Sequence, residues 1–331
     1  MARLKIDWFE QPQLKEYCND LPIIKGIKAQ RIITAGKEAS SVIIVMTGNL
    51  EVSVAAASGK EVLATLEPQE IAGEMTLLEG KSAVADVDVG SEEATWIELP
   101  IQQLRHDLEK KSDLATEFYY FLTRKLRHQL LDQNSFIYKW NRHDEPPDPL
   151  KKVLIVFGYL NTADLEYLAS TARKKATESD QTLIKEGEIL SSIYIILDGR
   201  FGIYNEVQEK SVKLGTSSKG EILGELSTLD EKGSASAEVR AEGHGAIAEI
   251  KIGEIKRWLL NTPGAEARWW RALAVLGSHR CREQLEAAGR LGTSVESEQL
   301  SLEELERVER AGQRFRWFCE LISEGVDGAT V

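Results

Sequence analysis

Two Gly-Glu pairs are the residues of this chain best suited to binding chemistry. They are Gly73–Glu74 and Gly224–Glu225. Glycine permits the left-handed backbone of a tight corner. A carboxylate next to such a corner can accept hydrogen bonds, either from the backbone N–H groups of a short helix or from the hydroxyl groups of a ligand. From the residues alone, both interpretations of the two glutamates stay open.

The other residues that could bind a metal or act in catalysis form no recognisable motif. The five histidines show no metal-ligand spacing with one another or with Cys18, Cys281 and Cys319, so we expect no metal and no disulfide framework. Neither a nucleophile–base pair nor a glycine-rich phosphate loop is present, and we therefore expect no enzyme. Scattered cysteines and the lack of a signal peptide indicate a reducing cytoplasm. The absence of targeting signals, together with the tandem layout, suggests a bacterial source.

The charge balance excludes two classes of partner. The chain has 41 basic and 53 acidic residues and a net charge of −12, whereas proteins that bind nucleic acids usually present a basic face to the phosphates. The residues after Ser294 are acidic and too few for a winged helix-turn-helix domain. The longest apolar runs are strand-sized, so we expect no membrane span. DNA and membranes are therefore not expected partners.

An internal repeat is the most informative feature of the sequence. Gly36, Gly48 and the pair Gly73–Glu74 recur 151 positions later as Gly187, Gly199 and Gly224–Glu225. The apolar runs before Gly48 and Gly199 match as well. Repetition at a constant offset predicts two copies of one domain.

Each copy has the same predicted element order. A short helix is followed by short β-rich runs with glycine at the corners, and a long helix closes the copy. This predicts an α+β fold: two β-roll domains flanked by helices, and a C-terminal amphipathic helix. The predicted limits are 1–140 for the first domain, 141–150 for a Pro-rich linker, 151–290 for the second domain, and 291–331 for an acidic helix and tail.

The residues that follow each Gly-Glu pair carry a resemblance to a known family. The first copy reads Gly73-Glu74-Met75-Thr76-Leu77-Leu78 and then Ser82-Ala83-Val84-Ala85. The second reads Gly224-Glu225-Leu226-Ser227-Thr228-Leu229 and then Ser234-Ala235-Ser236-Ala237. Both resemble the phosphate-binding cassette of the cyclic-nucleotide-binding domain. The tandem layout resembles family members with two copies, such as kinase regulatory subunits, more than single-copy members, and the β-roll also resembles that of the catabolite activator.

The resemblance implies roles for the two glutamates and shows a departure from the family pattern. Glu74 and Glu225 match the family glutamate that accepts a hydrogen bond from the ribose. The family arginine that pairs with the cyclic phosphate is replaced by Ala83 and Ala235. Losing such a charged partner costs roughly 2–5 kcal/mol. We also expect carboxylates near the phosphate position, from Asp86 and Glu238. Binding of simple cAMP or cGMP is therefore disfavoured.

Further candidates come from arginines and an aromatic pair. An arginine can pair with the Hoogsteen edge of guanine, and Arg142 and Arg200 lie near aspartates in the sequence, which makes cyclic di-GMP the leading candidate ligand. Since a residue of the closing helices often covers the base in this family, the resemblance makes Trp269, Trp270 and Arg271 candidates for a lid. The complete set of predicted site residues is Gly73, Glu74, Ser82, Gly224, Glu225, Leu226, Ser234, Ser236, Arg240, Arg142, Arg200 and Trp270.

Two functional hypotheses remain. In the first, the chain is a non-enzymatic regulator that senses a nucleotide second messenger other than simple cAMP, and signals to a protein partner through its closing helices or its acidic tail. In the second, the pockets are vestigial and the chain is a ligand-independent scaffold. The scaffold hypothesis predicts an exposed apolar patch on the tail helix or on the stripe from Leu114 to Leu130, where a homodimer could also form.

Overall fold

The computed structural model describes residues 11–56, 59–137, 154–207, 210–229, 234–287 and 302–327. The chain divides into two compact units, Met1–His128 with Gly277–Glu298, and Gln129–Leu276 with Gln299–Val331. The predicted domain limits stay a prediction. The 141–150 linker lies outside the described residues.

The first unit is a β-roll flanked by helices, as the sequence predicts. Its two four-stranded antiparallel sheets have the orders β1-β8-β3-β6 and β2-β7-β4-β5. The elements are α1 Pro12–Asn19, β1 Ile23–Ile27, β2 Arg31–Ile33, β3 Ser41–Thr47, β4 Leu50–Ala56, β5 Gly59–Leu66, β6 Ile71–Ala72, α2 Glu74–Glu79, β7 Asp86–Val89, β8 Glu93–Pro100, α3 Ile101–Lys110 and α4 Ser112–Ile137.

The second unit repeats this architecture. Its sheets have the orders β14-β11-β16-β9 and β10-β15-β12-β13. The elements are α5 Ile155–Tyr159, α6 Thr162–Thr171, β9 Arg173–Thr177, β10 Thr182–Ile184, β11 Ser192–Asp198, β12 Arg200–Val207, β13 Lys210–Ser218, β14 Ile222–Leu223, a 3₁₀ turn Glu225–Thr228, β15 Glu238–Ala241, β16 Gly245–Lys251, α7 Ile252–Asn261, α8 Ala265–Ala287 and α9 Leu302–Asp327.

The core of the first roll shows why these short strands form. Alternate residues of a strand point to opposite faces of its sheet, and Val87 and Val89 of β7 turn inward while Asp86 and Asp88 turn outward. Trp96 joins the same core and is 2% exposed. The other buried members of this core are Ile33, Ile43, Val45, Leu50, Leu66, Ala72 and Ala94. Burial of these side chains stabilises the roll by about 25 cal/mol for each Å² of apolar surface removed from water.

The outward face of the same sheet is held by ion pairs around one carboxylate. Arg31 Nε lies 2.6 Å from Asp88 Oδ1, and Lys60 Nζ lies 3.1 Å from Asp88 Oδ2. Desolvation acts to raise the pKa of Asp88, but the pairs with Arg31 and Lys60 outweigh it and hold the pKa below its usual value. Arg31 also pairs with Asp86, at 2.7 Å.

The C-terminal helix α9 packs onto the first helices of the second unit. The Phe157 ring lies edge-on to Phe315 and Phe318, with centroid distances of 5.0 and 5.5 Å. Arg314 Nη1 donates to the carbonyl oxygens of Phe157 and Gly158 at the end of α5, where a cation is favourable. Most of the apolar face of α9 is thus used inside the chain, although Leu305 is 49% exposed.

The leucine stripe of α4 is also buried. Leu114, Phe118, Leu122, Leu126 and Leu130 are each no more than 7% exposed. The exposed apolar patch that the scaffold hypothesis places on this stripe is therefore absent from these residues.

Candidate nucleotide-binding cassettes

Both Gly-Glu corners have the backbone geometry that the sequence predicts. Gly73 has φ +82° and Gly224 has φ +77°, in the left-handed region. A Cβ atom on Gly73 would lie 2.7 Å from the carbonyl oxygen of Ser41, and one on Gly224 would lie 2.7 Å from Leu190 Cδ1. Each corner therefore requires glycine, and each places the following glutamate at the start of a buried turn or helix.

Glu74 of the first cassette is engaged by a cation from the chain itself. Its carboxylate forms an ion pair with the ammonium group of Lys125, which comes from α4. The two side chains are 5% and 20% exposed. A ligand hydroxyl would have to compete with this pair for the carboxylate. Sequence reasoning missed Lys125, because nothing in the stripe of α4 marks the one lysine that lies over the cassette.

The other end of the first cassette helix is held by α8. Arg282 Nε lies 2.6 Å from Glu79 Oε2, and the hydroxyl of Ser278 donates to Glu79 Oε1. Arg282 Nη2 also donates to the carbonyl oxygen of Ser82, at 3.4 Å. Both glutamates of α2 are thus buried and each is paired with a cation.

Side chains of α3 and α8 surround the C-terminal end of α2. Arg105 of α3 donates from Nη2 to the carbonyl oxygens of Leu77 and Thr76, at 2.9 and 3.2 Å. Near Glu79, burial raises the pKa of Cys281 and lowers the pKa of His279. Charge interactions in this environment are stronger than in water. The first cassette is thus an ion-paired junction of α2 with α3, α4 and α8.

Two tryptophans, Trp258 and Trp269, pack beside the second cassette. Glu225 is 2% exposed, and the hydroxyl of Thr228 donates to its carbonyl oxygen at 2.6 Å. Trp269 Nε1 donates to Thr228 Oγ1 at 3.4 Å, and the Trp269 ring is edge-on to Trp258, 5.7 Å away. The Nε1 donor of Trp258 is buried and has no acceptor among the residues that the structure describes.

The lid expectation for the tryptophans is not supported by their burial. Trp269 is 0% exposed and Trp270 is 6% exposed, so neither presents an exposed ring, and Trp269 belongs to the layer between α7 and the second cassette. The serines are more accessible: Ser82 and Ser234 are exposed, whereas Ser236 is half-buried, as is Leu226.

Two predicted arginines lie on one face of the second roll, outside its core. Since Phe201 and Val239 are buried inward, their strand neighbours Arg200 and Arg240 point outward. Arg240 pairs there with Glu238 and lies over the ring of Tyr204, 4.9 Å from its centroid. The structure does not bring Arg240 or Arg200 to the buried corner at Gly224. Arg142 lies outside the described residues.

The two carboxylates expected near the phosphate position, Asp86 and Glu238, each form an ion pair on the outward face of their sheet. Asp86 is turned outward beside Arg31, and Glu238 is turned outward beside Arg240. The inward residues at these places are Val87 and Val239. The approach of these carboxylates to a phosphate stays a prediction, as does the loss of a charged partner at Ala83 and Ala235.

Comparison with known proteins gives the family. The model of the cyclic nucleotide-binding domain matches residues 28–110 and 174–261, more than half of the chain. The chain therefore belongs to the cyclic nucleotide-binding domain family, and the resemblance stated from the two cassettes is confirmed. The α+β fold with two β-rolls is confirmed with it. No curated protein matches the chain.

Several solved structures are similar in fold. The regulatory domain of Toxoplasma gondii PKA with cAMP is 17% identical, with a TM-score of 0.30 and coverage of 77% of this chain and 86% of that one. The regulatory subunit of a cAMP-independent protein kinase A from Trypanosoma cruzi, bound to guanosine, is 17% identical, with a TM-score of 0.30 and coverage of 77% and 78%. The N-terminal domain of a transcriptional regulator from Streptomyces coelicolor A3(2) is 21% identical, with a TM-score of 0.35 and coverage of 45% and 99%.

Two further properties concern the described residues as a whole. None of their helices is long and apolar enough to cross a membrane. Within the same ranges, no group of three or more histidine, cysteine, aspartate or glutamate side chains could hold a metal ion.

Proposed function

We propose that the chain is a non-enzymatic regulator whose second cassette binds an uncharged, ribose-bearing ligand of the nucleoside class. The observation that carries the proposal is the buried Glu225 at the left-handed Gly224 corner, next to a cassette in which Ala235 replaces the phosphate-binding arginine. The carboxylate suits ribose hydroxyl groups. A cyclic monophosphate would lose its charged partner, at a cost of roughly 2–5 kcal/mol.

The surroundings of the second cassette support an uncharged polar ligand. A buried N–H without an acceptor costs about 1–3 kcal/mol, and Trp258 Nε1 is such a donor in the described part of the unit. A carbonyl or ring nitrogen of a nucleobase could accept from it.

The first cassette is the less suitable of the two. Lys125 already pairs with Glu74, so a ligand would have to displace an ammonium group of the chain itself. Since the ion pair is largely buried, breaking it for a hydroxyl group would be costly. We infer that the first cassette has a structural role, as the scaffold hypothesis predicts for both cassettes.

Cyclic di-GMP is a second candidate ligand, with less support. It would suit arginines that converge on a pocket, but Arg240 is engaged with Glu238 and Tyr204 on the outer face of the roll. Binding of cyclic di-GMP would therefore depend on Arg200, which is exposed on the same face. Recognition of a guanine edge there would be a surface contact rather than a buried one.

A thermal-shift panel tests these alternatives. The purified chain is heated with guanosine, adenosine, cAMP, cGMP, cyclic di-GMP or cyclic di-AMP. A ligand at 100 times its dissociation constant adds about 2.7 kcal/mol to the unfolding free energy, a shift of several degrees. We expect a shift with a nucleoside. A shift with cAMP alone would contradict the proposal, and no shift with any compound would favour the scaffold.

The proposed output is a change in the contacts of the closing helices, read by a protein partner. In the second unit, α8 carries Trp269 against Thr228 of the cassette, so a ligand that engages the cassette acts on α8 directly. Such a ligand can shift an equilibrium only through a difference in affinity for the two states. The partner is therefore expected to bind the liganded and unliganded chain with different affinities, which pull-down with and without the active nucleoside would measure.

A further inference from the structure

Strand β1 forms an open edge of the first roll. It is the outermost strand of its sheet, and among the described residues it pairs with β8 alone. Next to β1, Lys28 N donates to the carbonyl oxygen of Glu92 at 3.2 Å, in the β1–β8 register. Because hydrogen-bonded and non-hydrogen-bonded pairs alternate in an antiparallel ladder, the backbone N–H and C=O groups of Ile27, Lys25 and Ile23 point away from β8.

Two of these three residues have no backbone partner on the open side within the part of the chain that the structure describes. The N–H of Ile27 donates to Gln30 Oε1 at 3.4 Å, and its carbonyl oxygen accepts from Gln30 N at 3.0 Å. The N–H and C=O groups of Ile23 and Lys25 are left for another strand. Unpaired backbone groups along a strand edge are a template for pairing with a second chain.

The side chains of β1 make this edge apolar and hold it in place. Ile23 and Ile27 are 62% and 65% exposed, and Lys25 lies between them on the same face. The opposite face is anchored in the roll: Ile24 packs against the core, and a Cβ atom on Gly26 would lie only 2.6 Å from the ring of Trp96. The edge is therefore rigid and exposes isoleucine to water.

The second roll carries a protected version of the same edge. Strand β9 is the outermost strand of its sheet and reads Arg-Lys-Lys-Ala-Thr, with its first four residues exposed. At the offset of the repeat, Lys174 and Ala176 stand where Ile23 and Lys25 stand in β1. Charged side chains, lysine above all, prevent an edge strand from pairing with another copy. The edge of the first roll has a single lysine and lacks this protection.

We propose that two copies of the chain associate by antiparallel pairing of their β1 strands, with Ile23 of each copy opposite Lys25 of the other. This register uses the free N–H and C=O groups of both residues in both copies. It places the two Ile24 residues at the two-fold axis and joins two four-stranded sheets edge to edge. Each Lys25 keeps its ion pair with Glu93, at 2.8 Å.

The neighbouring registers are less favourable. One of them sets Lys25 directly opposite Lys25, and like charges in that position destabilise a strand pair. The other sets Ile23 opposite Ile23 and leaves the groups of Lys25 unpaired. Strands of five residues bury less than the ~1,600 Å² of a standard interface, so we expect weak association that rises with protein concentration. The pairing needs no ligand and does not depend on the proposed function.

Sedimentation equilibrium of the full chain tests the proposal. Ile23→Lys places an ammonium group opposite Lys25 at two symmetric positions, and we expect the dissociation constant of the dimer to rise by about 10-fold. Ile23→Glu removes the same apolar side chain but places a carboxylate opposite Lys25, and should dimerise at least as tightly as wild type. Ile189→Lys is the matched control, because Ile189 is 64% exposed in the second unit, and should change nothing. Equal weakening by Ile23→Lys and Ile23→Glu, or a wild-type chain that stays monomeric up to about 1 mM, would overturn the proposal.

Hydrogen exchange resolved at single amides locates the interface. The amides of Ile23 and Lys25 should become protected as the protein concentration rises, and Ile23→Lys should reduce that protection. The amide of Ile27, which is bonded to Gln30 within the chain, and that of Ala176 on β9 should not respond to concentration. A dimer that forms without protection at Ile23 and Lys25 would show that the copies meet elsewhere and would overturn the proposal.

Discussion

The glycine at the first cassette corner is required both by its backbone conformation and by a close neighbour. Replacing Gly73 by alanine puts an L-residue at φ +82°, which costs about 1–2 kcal/mol. It also drives Cβ to 2.7 Å from the carbonyl oxygen of Ser41, and overpacking of this kind costs about 1–3 kcal/mol. Alanine also reduces the conformational entropy of the unfolded chain, and this offsets about 0.4–1 kcal/mol of the loss. Gly73→Ala should therefore lower the unfolding free energy of its domain by about 2–4 kcal/mol.

Urea unfolding of a set of glycine variants separates the two causes. Gly36 also has a left-handed backbone, at φ +77°, but a Cβ there meets nothing within 4 Å, so Gly36→Ala reports backbone strain alone, about 0–1.5 kcal/mol. Gly224→Ala should fall between the two, because its clash is with a methyl group of Leu190 that can rotate away. Equal losses in Gly73→Ala and Gly36→Ala would refute the argument that the cassette corner is closed by Ser41.

Three further predictions concern packing, pH and charge. Phe318→Ala should cost the second unit about 3–5 kcal/mol in thermal unfolding, whereas Leu305→Ala, on the exposed part of α9, should stay within about 0.5 kcal/mol; similar effects would mean that α9 is not part of the fold. The pKa of Asp88 is lowered in the folded state, so its stabilising contribution is complete above about pH 4 and is lost as the pH falls through the lowered value. Asp88→Asn should flatten the pH dependence of stability in that window, and an unchanged slope would contradict the assignment. Lys125→Met should destabilise the first unit by about 3–5 kcal/mol in urea, and adding Glu74→Gln should recover most of that loss; a double variant as unstable as the single one would show that the pair is not coupled.

Much of the fold could be predicted from the sequence because the repeat is carried by local rules. Glycines such as Gly48 and Gly199 recur where the backbone is left-handed, at φ +73° and +89°, and alternating apolar residues mark the strands. Helix α1 begins at Pro12, a residue type favoured at the first helical position, and the gap between α7 and α8 falls at Pro263–Gly264. These features depend on residues that are close in the sequence.

The candidate site was harder to predict because its partners come from distant elements. Lys125 is 51 residues from Glu74, and Arg282 is 203 residues from Glu79, so no local pattern connects them. The outward position of Asp86 follows from a local rule. Alternate side chains of a strand point to opposite faces of the sheet, so Asp86 lies outside the core while its neighbour Val87 points inward.

Calorimetric titration with guanosine tests the central claim most directly. Wild-type protein is compared with Glu225→Gln and with the matched variant of the first cassette, Glu74→Gln. The account predicts saturable binding of one nucleoside per chain that is lost in Glu225→Gln and kept in Glu74→Gln, with cAMP binding more weakly. Binding of cAMP at least as tight as that of guanosine, or guanosine binding that survives in Glu225→Gln, would contradict it.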